Sequence, residues 1–440
     1  MRSMRRVLQL PVYRRLLSAY ALNELAWSIG TLALAFLVYA RTNSALGATA
    51  FFLCSLFVPA LLTPAVVARL DQRTPRHVLP ALYALEGLAF LALAWIASNF
   101  SLGPVLILTA IDGVIALVAR SLARAATVDV TASADLLREG NAVNNAAFSV
   151  CFMAGPAIGG VIVATSSTSV ALIVNCVLFL LIALVLATAR GLPAAVPEPE
   201  PAAGRVRSAI AYIRDQRSIR TLFSVQVAGV LFFTVSIPAE VVFAEHTLQT
   251  GAGGYGALLS SWGVGAVAGS AAYARWRTWP SRQLIALGAG ALGLGFAVMA
   301  VAPVIAVAVA GSVIAGVGNG IESVAARTAL QEEVEPQRMA LMMGFNESMF
   351  QLVPGLGILL GGAIASVAGP RVTLGIGAAG SLVVTAVVWI ALRPGMLRAE
   401  SDPVMPAVRS NGSDGMHDGD GSHRNSRPRS EPAAQGERQR

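Results

Sequence analysis

Six carboxylic acids stand inside otherwise apolar stretches of this chain: Glu24, Glu86, Asp112, Glu240, Glu322 and Glu347. At bilayer depth an ionisable group costs about 2.5–3.5 kcal/mol or more, so each needs a compensating role. In a low-dielectric cavity a carboxyl can load and unload a proton near neutral pH. Asp112, near the middle of its stretch, and Glu24, about two turns in from one end, are best placed for that work. Glu24 fits a structural hydrogen bond to a neighbouring helix as well. Glu240 and Glu322 stand near opposite mouths. Glu86 reads as structural, and Glu347 fits either role.

Other chemistries are excluded by residue type. All 32 basic residues are Arg. Without Lys there is neither a Gly-Lys-Ser/Thr phosphate loop nor a Schiff-base lysine. His77, His246, His417 and His423 are scattered, and Cys54, Cys151 and Cys176 lie in apolar runs without metal-ligand spacing. No metal site, cofactor or enzyme activity is expected, and no nucleic-acid partner.

Residues of the hydrophobic class make up 55% of the 440 and charged ones only 13%, a membrane-embedded balance. A crossing helix needs about 20 mostly apolar residues, because lipid offers the backbone no hydrogen-bond partner. Twelve stretches qualify: 16–40, 46–68, 78–98, 104–123, 140–164, 170–189, 219–244, 254–274, 283–302, 304–326, 339–366 and 371–392. Counted with the N-terminus inside, only Arg41 and Arg371 fall in outer segments. Arginine concentrates on the cytoplasmic side of membrane proteins, so both termini are expected there, in the plasma membrane.

The two halves repeat. Gly155, Gly159 and Gly160 match Gly357, Gly361 and Gly362 at an offset of 202, as Asn144 matches Asn346. Arg14, Leu16 and Ser18 match Arg220, Leu222 and Ser224 at 206, as Ala68-Arg69 matches Ala274-Arg275. The expected architecture is an all-α integral membrane protein with twelve transmembrane helices in two six-helix pseudo-repeated halves. Its segments are a cytoplasmic 1–15, a half 16–189, a linker 190–218, a half 219–392 and a disordered tail 393–440. The linker opens with a Pro/Glu run, Pro193 to Pro201. It continues in a basic stretch, Arg205 to Arg217, whose Ile210 and Ile213 suit either the inner leaflet or a solvated connector.

Four stretches resemble the major facilitator superfamily. Asp71, Arg73 and Arg76 match its motif A, with Val67 in place of Gly and Gln72 in place of Arg. Gly155-Pro156-Ala-Ile-Gly159-Gly160 is similar to motif C, which the family associates with proton-coupled antiporters. Ala123-Arg124-Ala125 and the loop Gln331 to Arg338 look like elements of the drug and siderophore exporter branch. The resemblance implies that spans one, four, seven and ten line a central cavity, so Glu24, Asp112, Glu240 and Glu322 fall one to each. It also implies that Asp71 pairs with Arg124 and with the N-terminal end of span eleven, whose dipole favours an anion. Arg120 belongs near this gate. Related to Glu322 by the 202 offset, it is expected to meet it when the inner side closes. A monomeric, proton-coupled exporter of small amphipathic molecules follows, working by alternating access. The alternatives are a nutrient importer of the same fold or a non-transporting membrane protein. Trp27, Phe148, Phe152, Phe232, Phe233 and Phe350 are candidate cavity aromatics.

Overall fold

A computed structural model of the chain describes residues 6–63, 75–189, 202–276, 278–335 and 338–391. The first half runs through α1 (Pro11–Thr42), α2 (Ala45–Thr63), α3 (Pro75–Ser98), α4 (Leu102–Ser133), α5 (Leu137–Thr165) and α6 (Thr168–Ala187). The second half holds α7 (Arg217–Thr247), α8 (Gly251–Trp276), α9 (Ser281–Val301), α10 (Ile305–Glu333), α11 (Met339–Ala368) and α12 (Pro370–Ala391). The described residues contain no strand. Ten of these helices are long and apolar enough to cross a bilayer, and α11 carries a shorter apolar run, Leu352–Ala368. The exception is α8, whose glycines and serines dilute its hydropathy although its length matches its neighbours.

Local chemistry sets the helix ends. The Ser44 and Ser167 hydroxyls accept from the amides of Gly47 and Val170, capping α2 and α6. Arg371 donates to the carbonyls of Ala300 and Ala302 at the end of α9, each at 2.7 Å. This gives one of the two outlying arginines a structural task. A single π-turn at Leu53–Phe57 interrupts α2, while α7 breaks at Ser236 and ends in a π-turn, Phe243–Thr247.

The repeat read from the offsets is a repeat of contacts. A methyl group at Gly159 would stand 3.2 Å from Cα of Ile29; at Gly361 it would press on the carbonyl of Val235, the residue 206 places after Ile29. Gly155 faces Ser28 and Gly357 faces Thr234 in the same way. Asn175 of α6 donates to the Ala26 carbonyl at 2.8 Å. The corresponding Gly377 of α12 approaches the carbonyl of Phe232, the counterpart of Ala26. Across the halves, Gly160 of α5 meets Ala252 and Gly256 of α8, while Gly362 of α11 meets Thr49 of α2. These junctions lie toward the end of the bundle that carries the α1–α2, α5–α6, α7–α8 and α11–α12 turns.

The linker contains a helix, Ala202–Asp215. Its apolar face is not the expected Ile210 and Ile213 pair. Ala209, Tyr212 and Ile213 pack on Ile219, Phe223, Leu330 and Met342, while Ile210 points outward. The Tyr212 hydroxyl accepts from the Glu335 amide at 3.4 Å.

Candidate functional site

A cavity of about 240 Å³ opens between the helices of the first half and α11. Asn23, Trp27 and Thr31 of α1 form one wall, and Phe51, Ser55 and Pro59 of α2 another. Glu86 and Phe90 of α3, Phe179 of α6, and Phe350 and Pro354 of α11 close it. The remaining wall is α4, which presents Thr109, Asp112, Gly113, Ala116 and Arg120. This spacing repeats every three to four residues, the stripe that one face of a helix shows to a neighbour.

Asp112 therefore lines the cavity, and its Oδ1 is buried without a hydrogen-bond partner. Glu24, one turn before Ser28, is 5% exposed. It meets the Arg120 guanidinium at 3.5 Å, and Asn23 donates to its carboxylate at 3.4 Å. Arg120 also stands 5.1 Å from the centre of the Trp27 ring. The partner of Arg120 in this conformation is thus Glu24 and not Glu322, and its place is the cavity wall. Arg124, one turn beyond, lies within electrostatic reach of Tyr20.

The other expected carboxylates do not converge here. Glu240 accepts from its own helix, Ser236 Oγ at 3.0 Å, just past the break in α7. Glu322 is nested between α7 and α9: its Oε1 faces Gly229 and its Cβ faces Gly288. Gly155, Pro156, Gly159 and Gly160 lie on the face of α5 turned to α1 and α8. Asp71 and Arg73 fall outside the described residues, as do the side chains of Arg76 and Glu347 and the whole tail. Of the aromatics, Trp27 and Phe350 line the cavity. Phe152 and Phe233 flank Trp262 instead, at 5.2 and 5.6 Å, a ring stack that crosses from α5 to α8 and α7.

Glu86, which the sequence reads as structural, also stands at this cavity. It is fully buried, neither of its oxygens has a hydrogen-bond partner, and it lines the same cavity as Asp112. The signal was available: Tyr83, Glu86, Phe90 and Leu93 share one face of α3, while Leu85, Leu88 and Trp95 occupy the opposite, exposed face. A glutamate on the inward stripe of such a helix points at protein and not at lipid.

With this geometry in hand, the comparisons are specific. The chain matches the Major Facilitator Superfamily model over residues 16–243 and 222–414, and it belongs to that family. Among solved structures it is similar to a point mutant of the nucleoside transporter NupG, with TM-score 0.71 and 12% identity over 87% of this chain and 100% of that one. It is similar to a bacterial homologue of the iron transporter ferroportin in an inward-facing state, with TM-score 0.67 and 12% identity over 87% and 99%. It also resembles a D-xylose-proton symporter, with TM-score 0.60 and 14% identity over 86% and 95%. No curated protein matches it by sequence. The chain is a multi-pass membrane transporter of this fold.

Proposed function

We propose that this transporter is a proton-coupled exporter of small amphipathic molecules in the plasma membrane, acting as a monomer with both termini cytoplasmic. The halves 16–189 and 219–392 rock about the cavity, and Asp112 carries the coupling proton, with Glu24 tuning it through Arg120. One observation carries this reading: a carboxylate with one buried oxygen, Asp112 Oδ1, that lacks a hydrogen-bond donor, at the wall of a cavity on the helix that also holds Arg120. Such a group is tolerable when protonated and costly when ionised, so its occupancy follows the proton supply. In the orientation that the arginines favour, the Gly160–Gly256 and Gly362–Thr49 junctions close the outer side. Asp71, Arg73, Arg76 and Arg124 would form the latch of the inner side. Motif C supports export; its glycines and Pro156 let α5 bend and slide against α8.

The test is transport in inside-out vesicles with an imposed pH gradient and a panel of lipophilic cationic and neutral dyes. Wild type should accumulate at least one dye, and Asp112→Asn should lose gradient-driven uptake by about tenfold or more. Glu24→Gln should weaken it. Accumulation that survives Asp112→Asn would move coupling to Glu240 or Glu322. Movement only in the opposite direction would make the protein an importer.

A further inference from the structure

We propose that the groove between α9 and α12 binds one anionic phospholipid, with its phosphate at Arg282 and Gln283 and an acyl chain laid along α9. The proposal concerns the outer surface of the second half and does not depend on what the transporter carries. Three observations converge on it.

The first is the groove. About 660 Å³ of space runs along the outside of this helix pair. Ala286, Gly290 and Ala291 leave the room, and exposed Leu287 and Leu294 stand beside them. From Gln283 to Leu294 the lining advances about 16 Å along the helix, at a rise of ~1.5 Å per residue. That is about half of a ~30 Å hydrocarbon core, the depth of one leaflet.

The second is the charge at its mouth. The Arg282 guanidinium stands 4.8 Å from the centre of the Trp389 ring, at the last turn of α12. It has no carboxylate partner among the described residues. The chain offers little choice: α8, α9 and α12 contain no acid, and Glu322 of α10 sets its Cβ against Gly288, on the side of α9 away from the groove. A ring accepts no N–H···O bond, so the donors of the guanidinium fork are left for an acceptor, and phosphate matches that fork. Gln283 lines the groove next to it and adds an amide. In the orientation that the arginines favour, this end faces the cytoplasmic leaflet, which carries the anionic lipids.

The third is the contrast with the matching pair of the first half. A groove of about 550 Å³ lies against α3 and α6, lined by Leu88, Leu91, Ala92, Ala94, Trp95 and Ile173. It contains no charged side chain, so any lipid tail covers it equally well. The second-half groove joins an apolar track to a cation and frames that cation with tryptophans, the residues that settle at headgroup level. Trp279 stacks on Trp276 at 5.5 Å, and Trp276 is packed on the core of the second half. The mouth is therefore shaped before a lipid enters.

Native mass spectrometry of the purified, delipidated full chain tests this, with phosphatidylglycerol and phosphatidylcholine of identical acyl chains as probes. Wild type should hold one phosphatidylglycerol at least about tenfold more tightly than phosphatidylcholine. Arg282→Gln should cut that preference to about twofold or less, and Arg282→Lys should keep part of it. Arg217→Gln removes an equal charge from the exposed start of α7 and should leave the preference intact. Gly290→Leu, which fills the track, should weaken both lipids alike; its Cβ has room, 3.6 Å from the Thr385 hydroxyl. Equal affinity of wild type for the two lipids would overturn the site, as would an equal loss in Arg217→Gln and Arg282→Gln, the sign of diffuse attraction. Displacement of the lipid by an equal concentration of glycerol 3-phosphate would overturn it in favour of a soluble phosphate. A dimer peak in place of the lipid-bound monomer would give the groove to a second copy of the chain. Dye transport absent while the lipid preference stands would sink the exporter reading alone.

Discussion

The two halves share a plan and differ in what fills it. In the second half, α10 is seated between α8 and α9 by glycine. Gly265 and Gly269 of α8 press on the backbone of Val313 and Val317, Gly316 and Gly320 press on Trp262 and Ala266, and Gly295 meets Gly311 and Ala315. In the first half the corresponding pair, α2 and α4, meets through Gly113, which faces Ser55 and Pro59. Side chains hold the helices apart there, and the space between them is the cavity with Glu86, Asp112 and Arg120. The lesson is that the halves divide the labour. One is packed backbone to backbone and can move as a stiff body; the other gives up packing to hold charge.

This contrast makes opposite expectations for the two regions, and the strongest concerns the glycine seam. Gly316→Val should disrupt the second half, because any Cβ there meets the Trp262 carbonyl, which belongs to backbone and cannot rotate away. A cost of roughly 3 kcal/mol or more is expected, since overpacking of this kind typically costs about 1–3 kcal/mol even where side chains can adjust. Size-exclusion profiles and melting curves of detergent-solubilised protein would read it as loss of the monodisperse peak. A normal profile with a normal melting temperature would mean the seam is looser than described.

A milder pair compares matched positions across the repeat. Gly159→Ala places a methyl 3.2 Å from Cα of Ile29, which small shifts can absorb, while Gly361→Ala drives it into the Val235 carbonyl. The expected costs are below about 1 kcal/mol and about 1–3 kcal/mol respectively. Melting temperatures that fall equally would show that the halves are packed alike at this seam.

How much of this is legible in the sequence follows from what sequence can encode. The glycine offsets announce the repeat because a backbone contact admits one residue type, and Gly155 and Gly159 recur with their contacts as Gly357 and Gly361. Asp112 stands out because a charge in an apolar run is conspicuous in one dimension. Its neighbour Glu86 does not stand out as a partner, because meeting it depends on how α3 is rotated against α4 and α6. The expected approach of Arg120 to Glu322 concerns the closed inner side, and in this conformation Arg120 meets Glu24 instead. A repeat offset gives equivalence between halves, whereas the ion pair forms within one half, between α1 and α4. The α8 helix reads as a long helix, yet its glycine content, the very feature that packs it, lowers the hydropathy by which spans are recognised.

The smallest expected effect probes that ion pair. The pairing atoms are buried, but Arg120 Nη2 stands 3.5 Å from Glu24 without a hydrogen bond, so the pair is a loose one worth about 1 kcal/mol. Arg120→Ala should therefore lower the melting temperature slightly, by leaving Glu24 buried without its cation. The double variant Arg120→Ala, Glu24→Gln should recover that loss, because a neutral amide no longer needs a counter-charge. Transport should separate from stability. The double variant removes the cation that faces Asp112 from its own helix, so its gradient-driven uptake should stay impaired after the fold is restored. Recovery of both together would mean that Arg120 serves only to neutralise Glu24, and the first half would then hold its charges for packing and not for chemistry.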